Sequence, residues 1–331
     1  MVNCVGIMEF IGNSRRARRF VLYMFLLYAV NPEPRTQAQD SYATVVRTQP
    51  VEFQMRNVNF RLSRDIALEV RSLRGQMERT RPEVPVTFDD PDSFVVAVSK
   101  AEVAITPASL TNLMNSYVLA YEGAPIKHVV VTLQGQKLIQ KGTIHKGLDL
   151  PFEVEGTLSV TEDGNIRVHA DKIKAEHVPV KGLLHLFGED LSKLMKEKSE
   201  HGMQVAGDDI ILNPRWLTPP PHLQGRVIRV AIAEGKIVQY FDSGHVLPPL
   251  DPPMRAGGYL YHRGGVIRFG KLTMNDADLE IVGDRPGTFD FFQHEYLKQL
   301  VNGYSKTMAS KGLVAHMADY SHFASASASR P

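Results

Sequence analysis

The stretch PFEVEGTLSVTEDGNIRVHADKIKAEHVPV, residues 151–180, sets the terms on which the rest of the chain is read. On its first arm Phe152, Val154, Leu158 and Val160 occupy even positions, while Glu153, Glu155, Thr157, Ser159 and Thr161 occupy odd ones. Alternation with period two marks a strand with one buried face and one wet face. Glu162, Asp163, Gly164 and Asn165 supply turn chemistry, with Gly164 free to take a positive φ. Ile166, Val168 and Ala170 then resume the alternation on the returning arm. The parity slips afterwards, because Ile173 and Ala175 are odd. One extra residue near Asp171 and Lys172 restores a single apolar face, so the spacing predicts a β-bulge there. Nothing in this hairpin looks able to cut, transfer or ligate anything. The question it poses is what its apolar face meets.

Two flanking segments offer partners. Upstream, ITPASLTNLMNSYVLAY (residues 105–121) places Thr106 as N-cap and Pro107 at the first helical position, with Leu110, Leu113, Met114, Tyr117 and Val118 on one helical stripe ending near Gly123. Downstream, VKGLLHLFGEDLSKLMKEKS (residues 180–199) gives a second stripe of Leu184, Phe187, Leu191, Leu194 and Met195, with Lys193, Lys196 and Lys198 at the C-terminal end where the helix dipole favours cations. A third helical segment is expected from Phe292, Tyr296, Leu300 and Tyr304 at four-residue spacing.

The remaining chain reads as short alternating sets: Phe53 to Val70, Phe94 to Ile105, Val129 to Gly142, Ile228 to Ile232 and a pair around Gly264 and Gly265. These sets predict an α+β protein, in which a long curved antiparallel sheet of hairpins wraps around two or three amphipathic helices. One elongated domain is expected over residues 51–316, with a Pro-rich connector at 245–258 and C-terminal strands and a helix at 259–316. Residues 317–331 end in alternating Ser and Ala with little to bury, and are read as a disordered tail.

The 331 residues carry 38 Lys and Arg against 36 Asp and Glu, and a net charge of +2 makes no whole-chain case for nucleic acid. At the N-terminus Arg15, Arg16, Arg18 and Arg19 precede an apolar run from Phe20 to Val30, then Pro32, Pro34 and Ala38. That is the layout of a secretory signal peptide over residues 1–38, with an uncleaved N-terminal anchor as the alternative. The expected location is the periplasm or cell envelope. The single cysteine, Cys4, lies upstream of the apolar run, so cleavage would leave neither a disulfide nor a thiolate site.

A search for catalytic motifs returns no G-x-S-x-G, no phosphate-binding loop, no dinucleotide fingerprint and no S-x-x-K. His294-Glu295 opens like a zinc-protease helix, but Lys298 stands where the second histidine would be. Asp89, Asp90 and Asp92 lack the central glycine and terminal glutamate of a calcium loop and read as a solvated turn. No catalytic residue, metal or cofactor is expected, and the chain is read as a protein that is not an enzyme. Trp216, the only tryptophan, sits between Pro214 and the Pro219–Pro221 run. It reads either as a loop residue packed over a core edge or as a membrane contact, since an indole suits the headgroup layer.

From Val154 to Met195 the sequence VEGTLSVTEDGNIRVHADKIKAEHVPVKGLLHLFGEDLSKLM resembles the LmeA-like phospholipid-binding family of exported bacterial proteins. Around it stand, in order, ITPASLTNLM, VTLQGQKLIQKGTI, ILNPRWL and RVIRVAIAEGKIV, so the resemblance spans roughly residues 101–241. It does not extend to the strands of residues 51–103 or to residues 258–316. The resemblance implies an envelope protein similar to tubular lipid-binding domains, binding phospholipid in an apolar cavity and performing no bond chemistry. The amphipathic stripes then nominate Leu110, Leu113, Met114, Tyr117, Phe152, Val154, Leu158, Leu184, Phe187, Leu191 and Leu194 as cavity residues. The expected partners are a phospholipid or other acyl lipid and, transiently, a membrane surface. The competing reading is a cell-envelope scaffold module with a fully packed core, and an unrecognised hydrolase comes third.

Overall fold

The computed structural model describes residues 49–146, 148–175, 202–254 and 257–322. The chain opens with three long strands and one short one: β1 (Val51–Ser63), β2 (Ile66–Arg79), β3 (Val86–Thr87) and β4 (Phe94–Ile105). Helix α1 (Pro107–Leu113) follows and runs into a π turn, Met114–Val118. A meander comes next, formed by β5 (Ile126–Gln134), β6 (Lys137–Lys146), β7 (Leu148–Val160) and β8 (Ile166–Ala175). After it lie β9 (Met203–Ala206), β10 (Asp209–Leu212), β11 (His222–Gln224), β12 (Val227–Ala233) and β13 (Lys236–Asp242). The C-terminal part holds β14 (Tyr259–Phe269), β15 (Leu272–Gly283), β16 (Phe289–Phe292), helix α2 (Tyr296–Val301), β17 (Tyr304–Thr307) and β18 (Leu313–Met317).

These strands form two sheets. The larger runs β12-β13-β4-β2-β1-β14-β15-β18-β17, with β11 added parallel to β4, β16 parallel to β1 and β3 parallel to β14. The smaller, shaped as a half-barrel, runs β5-β6-β7-β8-β10-β9 with every pairing antiparallel. The expected α+β arrangement is thereby corrected, because the described chain is mostly β with a few short helices. The physical reason is that each sheet buries its apolar face largely against the other. One continuous core runs from Phe53 and Val96 of the larger sheet to Phe152 and Val168 of the smaller, and no bundle of helices fills it among the described residues.

Helix α1 acts as a bracket between the sheets. Thr106 caps it, its hydroxyl accepting from the Ser109 N–H at 3.1 Å. Ser109 Oγ accepts from the Ala67 N–H of β2 at 3.2 Å, and Thr111 Oγ1 accepts from the Val131 N–H of β5 at 2.9 Å. The helix is shorter than the apolar stripe predicts, because the chain widens into the π turn at Met114. The third expected helix shrinks further. Phe292 ends β16 and Tyr304 begins β17, so only a 3-10 turn, Gln293–Glu295, and the short α-helix Tyr296–Val301 lie between them. Four-residue spacing of apolar groups fits a strand, one helical turn and a strand as well as it fits a continuous helix.

The β7–β8 hairpin forms as read, with Val160 opposite Ile166 and Gly164 at φ +78°. The predicted bulge is present: Glu155 pairs with Lys172 and Gly156 with Ala170, which leaves Asp171 as the extra residue. Three further irregularities lie side by side in the larger sheet. Arg71 is extra in β2 and Ser99 is extra in β4, while Asn57 in β1 has φ +49° where the neighbour of β1 changes from β14 to β16. At this level all three strands switch parity: Phe53 and Met55 give way to Val58, Val70 to Leu73, and Val98 to Ala101. Bulges bend and twist a strand, and here they bend three neighbours together.

At the C-terminus Met317 and Tyr320 are buried, so the packed chain passes the expected boundary at His316. The signal or anchor segment 1–38, the second amphipathic stripe with Leu184, Phe187, Leu191 and Leu194, and residues 323–331 lie outside the described residues. Within the described residues no helix is long and apolar enough to cross a membrane.

Candidate functional site

The apolar faces of the two sheets do not close completely. Between them and α1 lies a cavity of about 70 Å³. Leu110 and Leu113 of α1, Leu158 and Val168 of the hairpin, and Ile237 and Phe241 of β13 contribute to its wall. A second cavity of about 40 Å³ sits against the inner face of the larger sheet, walled by Phe53, Phe60, Met77, Phe94 and Phe291. The two share Leu68, Val103, Thr218 and Leu223 as wall residues, so they lie side by side along one apolar seam between the sheets.

The expected cavity residues therefore divide. Leu110, Leu113 and Leu158 face the seam. Met114, Phe152 and Val154 are buried in the surrounding core, and Tyr117 is half-buried against it, its phenol pushed up by burial and by the Asp92 charge. The hairpin's apolar face thus looks across the cavity at α1, β4 and β13. Sequence reasoning missed the contribution of the larger sheet, above all Leu68, Val103 and Phe241. Their alternation was visible, but not the fact that the strands carrying them stack on a hairpin far along the chain.

The loop from Asn213 to Pro221 covers the seam. Pro214 and Leu217 border the larger cavity, Pro221 the smaller, and Thr218 both. Its start is fixed by Asn213, which accepts from the backbone N–H groups of Trp216 and Leu217 through its carbonyl and from Arg215 through its side chain. Trp216 projects outward from this cover and is 40% exposed. Its ring packs edge-on to His222 at 4.8 Å, and the Arg215 guanidinium lies 4.9 Å from the ring centre. Trp216 thus packs against the loop on one side and presents part of its indole to the surroundings on the other.

Few polar groups reach the seam. Thr218 Oγ1 is buried without a hydrogen-bond partner. His262, fully buried, stacks on Phe53 at 4.9 Å and meets Phe88 edge-on at 5.3 Å. Its Nδ1 lies 3.3 Å from the Leu279 carbonyl oxygen, and its Nε2 has no partner. Burial pushes this imidazole down to about 4, so it is neutral at pH 7 and donates through Nδ1. A neutral histidine with no carboxylate or nucleophile beside it has no evident acid–base partner in this seam. Among the described residues no group of three His, Cys, Asp or Glu side chains is placed to hold a metal ion.

A wider cleft, about 550 Å³ and lined by both charged and apolar side chains, lies on the outer face of the kinked strands beneath the connector at 245–250. No protein family, curated protein or solved structure matches this chain.

Proposed function

We propose that this protein binds an acyl lipid, with the hydrocarbon held in the seam between the sheets and the Asn213–Pro221 loop as its cover. The observation that carries the reading is the adjacency of two apolar cavities, which share Leu68, Val103, Thr218 and Leu223 as wall residues, beneath a loop bearing a partly exposed tryptophan. An apolar, water-poor slot suits an acyl chain, since each methylene transferred from water contributes about 0.8 kcal/mol. At about 70 and 40 Å³ the cavities accommodate only a few methylenes, so a full chain requires the cover and the hairpin to move outward. Such a carrier needs no nucleophile. The basic and apolar N-terminal layout and the resemblance to the LmeA-like family favour a phospholipid as ligand and the cell envelope as location, with transient membrane contact through Trp216.

The small volumes favour a second reading, a cell-envelope scaffold whose core is simply packed. Native mass spectrometry with lipid extraction separates the two, using protein expressed from its own full sequence. A stoichiometric co-purifying lipid, reduced in Leu158→Phe, which fills the slot without placing a charge in it, supports the carrier. A bare mass together with no uptake from phospholipid vesicles overturns it and leaves the scaffold.

A further inference from the structure

The cleft on the outer face of the larger sheet is a product of the three adjoining irregularities. Beyond them, pairing places side chains in rows on one face: Arg56 opposite Ser72 and Ser72 opposite Glu102, then Gln54 opposite Arg74 and Arg74 opposite Lys100. With strands roughly 4.8 Å apart, the two rows form a floor about 10 Å across. The connector roofs it through specific bonds. Ser99 Oγ donates to the His245 carbonyl, Arg74 Nε donates to the Pro248 carbonyl at 2.8 Å, and the Leu250 N–H donates to Gln54 Oε1 at 2.8 Å.

The cations of this floor fall into two kinds. Arg71 is neutralised by Glu102 at 2.9 Å and Glu234 at 2.6 Å, and Arg74 by Glu52. Arg56 and Lys100 have no hydrogen bond or ion pair among the described residues, and both line the cleft. Asp242, opposite Lys100 on β13, is turned to the Gly244 N–H, from which its Oδ1 accepts at 2.8 Å. Ser72, adjacent to Arg56 in its row and to Lys100 on the diagonal, offers a hydroxyl between them.

We propose that this cleft binds a small phosphate-bearing anion, clamped between Arg56 and Lys100 with Ser72 donating to it. The planar guanidinium supplies a two-pronged donor matched to phosphate oxygens, and the ammonium supplies a point charge. A roofed floor of about 550 Å³ holds the anion against partial desolvation, where charge-assisted bonds are stronger than on an open surface. The cleft lies on the opposite face from the seam, so this inference does not depend on lipid occupying the seam.

Calorimetric titration with pyrophosphate at low ionic strength tests it, alongside flotation with phosphatidylglycerol and phosphatidylcholine vesicles. Arg56→Gln and Lys100→Gln are the variants, and because neither side chain has a protein partner, both should keep the parent melting temperature. Binding of free pyrophosphate, weakened roughly tenfold by either substitution, identifies a soluble ligand. Binding confined to phosphatidylglycerol vesicles, and lost in the double variant, identifies the same chemistry on a lipid headgroup. No binding of either probe up to millimolar concentration, or binding indifferent to both substitutions, overturns the proposal.

Discussion

The side-chain amide of Asn115 takes both backbone polar groups of Val129. Its Oδ1 accepts the Val129 N–H at 2.9 Å and its Nδ2 donates to the Val129 carbonyl at 2.6 Å. Val129 is buried where β5 loses register with β6, next to His128 at φ +53°, so the ladder cannot satisfy these groups. Asn115→Ala leaves them unpaired and should destabilise the fold by about 2–4 kcal/mol, at 1–3 kcal/mol for each orphaned group with some relief from water. Urea denaturation measures it, and a loss below about 0.5 kcal/mol would mean that the bulge re-pairs by itself.

Gly75 on β2 backs onto the carbonyl oxygen of Ala97 on β4, and an added Cβ would overlap that oxygen. The pair lies immediately beside the register shift between Arg74 and Gly75, where Ser99 is the extra residue. Gly75→Ala should cost about 1–3 kcal/mol through forced backbone displacement. Gly135, where an added Cβ meets nothing, is the control for substitution at a glycine without a steric clash, although its φ of +59° carries its own smaller penalty. Thermal melts of the two variants should rank Gly75→Ala as the more damaging.

Acid should weaken the fold through His262. Its folded value, pushed down to about 4, lies below the ordinary 6.5, so the unfolded chain binds the proton more tightly. The stability due to neutral His262 is complete above pH 6.5 and is lost as the pH falls towards 4. Glu280 and Asp319, raised by burial, act with the opposite sign, favouring the folded state as they protonate. Comparison with His262→Phe, which keeps the ring contacts with Phe53 and Phe88, isolates the histidine. The parent should lose stability relative to the variant between pH 6.5 and 4, and parallel curves would refute the assignment.

Trp216 is the sole tryptophan and therefore its own reporter. If its loop meets the membrane, adding phospholipid vesicles should shift its emission to the blue as the exposed ring leaves water. Trp216→Ala should then reduce vesicle binding several-fold with a modest change in melting temperature. Co-flotation with vesicles at an unchanged emission maximum would place the contact elsewhere.

Local features were legible because they depend on neighbours in the chain. The alternation of Phe152, Val154 and Leu158, the parity slip at Asp171, the cap at Thr106 and the turn at Gly164 each follow from backbone geometry over a few residues. Of the candidate site, Leu110, Leu113 and Leu158 were found by the same means. Phe292 to Tyr304 misled, because a spacing of four is shared by a helix and by a strand-turn-strand path.

The sequence by itself determined where the chain alternates, where it turns and which face of each strand is apolar, since sterics and burial act residue by residue along it. Only the tertiary structure decided what those faces meet. The parallel additions of β11 to β4 and β16 to β1, the stacking of the β7–β8 hairpin on β4 and β13, and the rows that bring Arg56 near Lys100 join residues far apart in the chain. Their pairing is a competition among many apolar faces of similar strength, settled by the packing of the whole core.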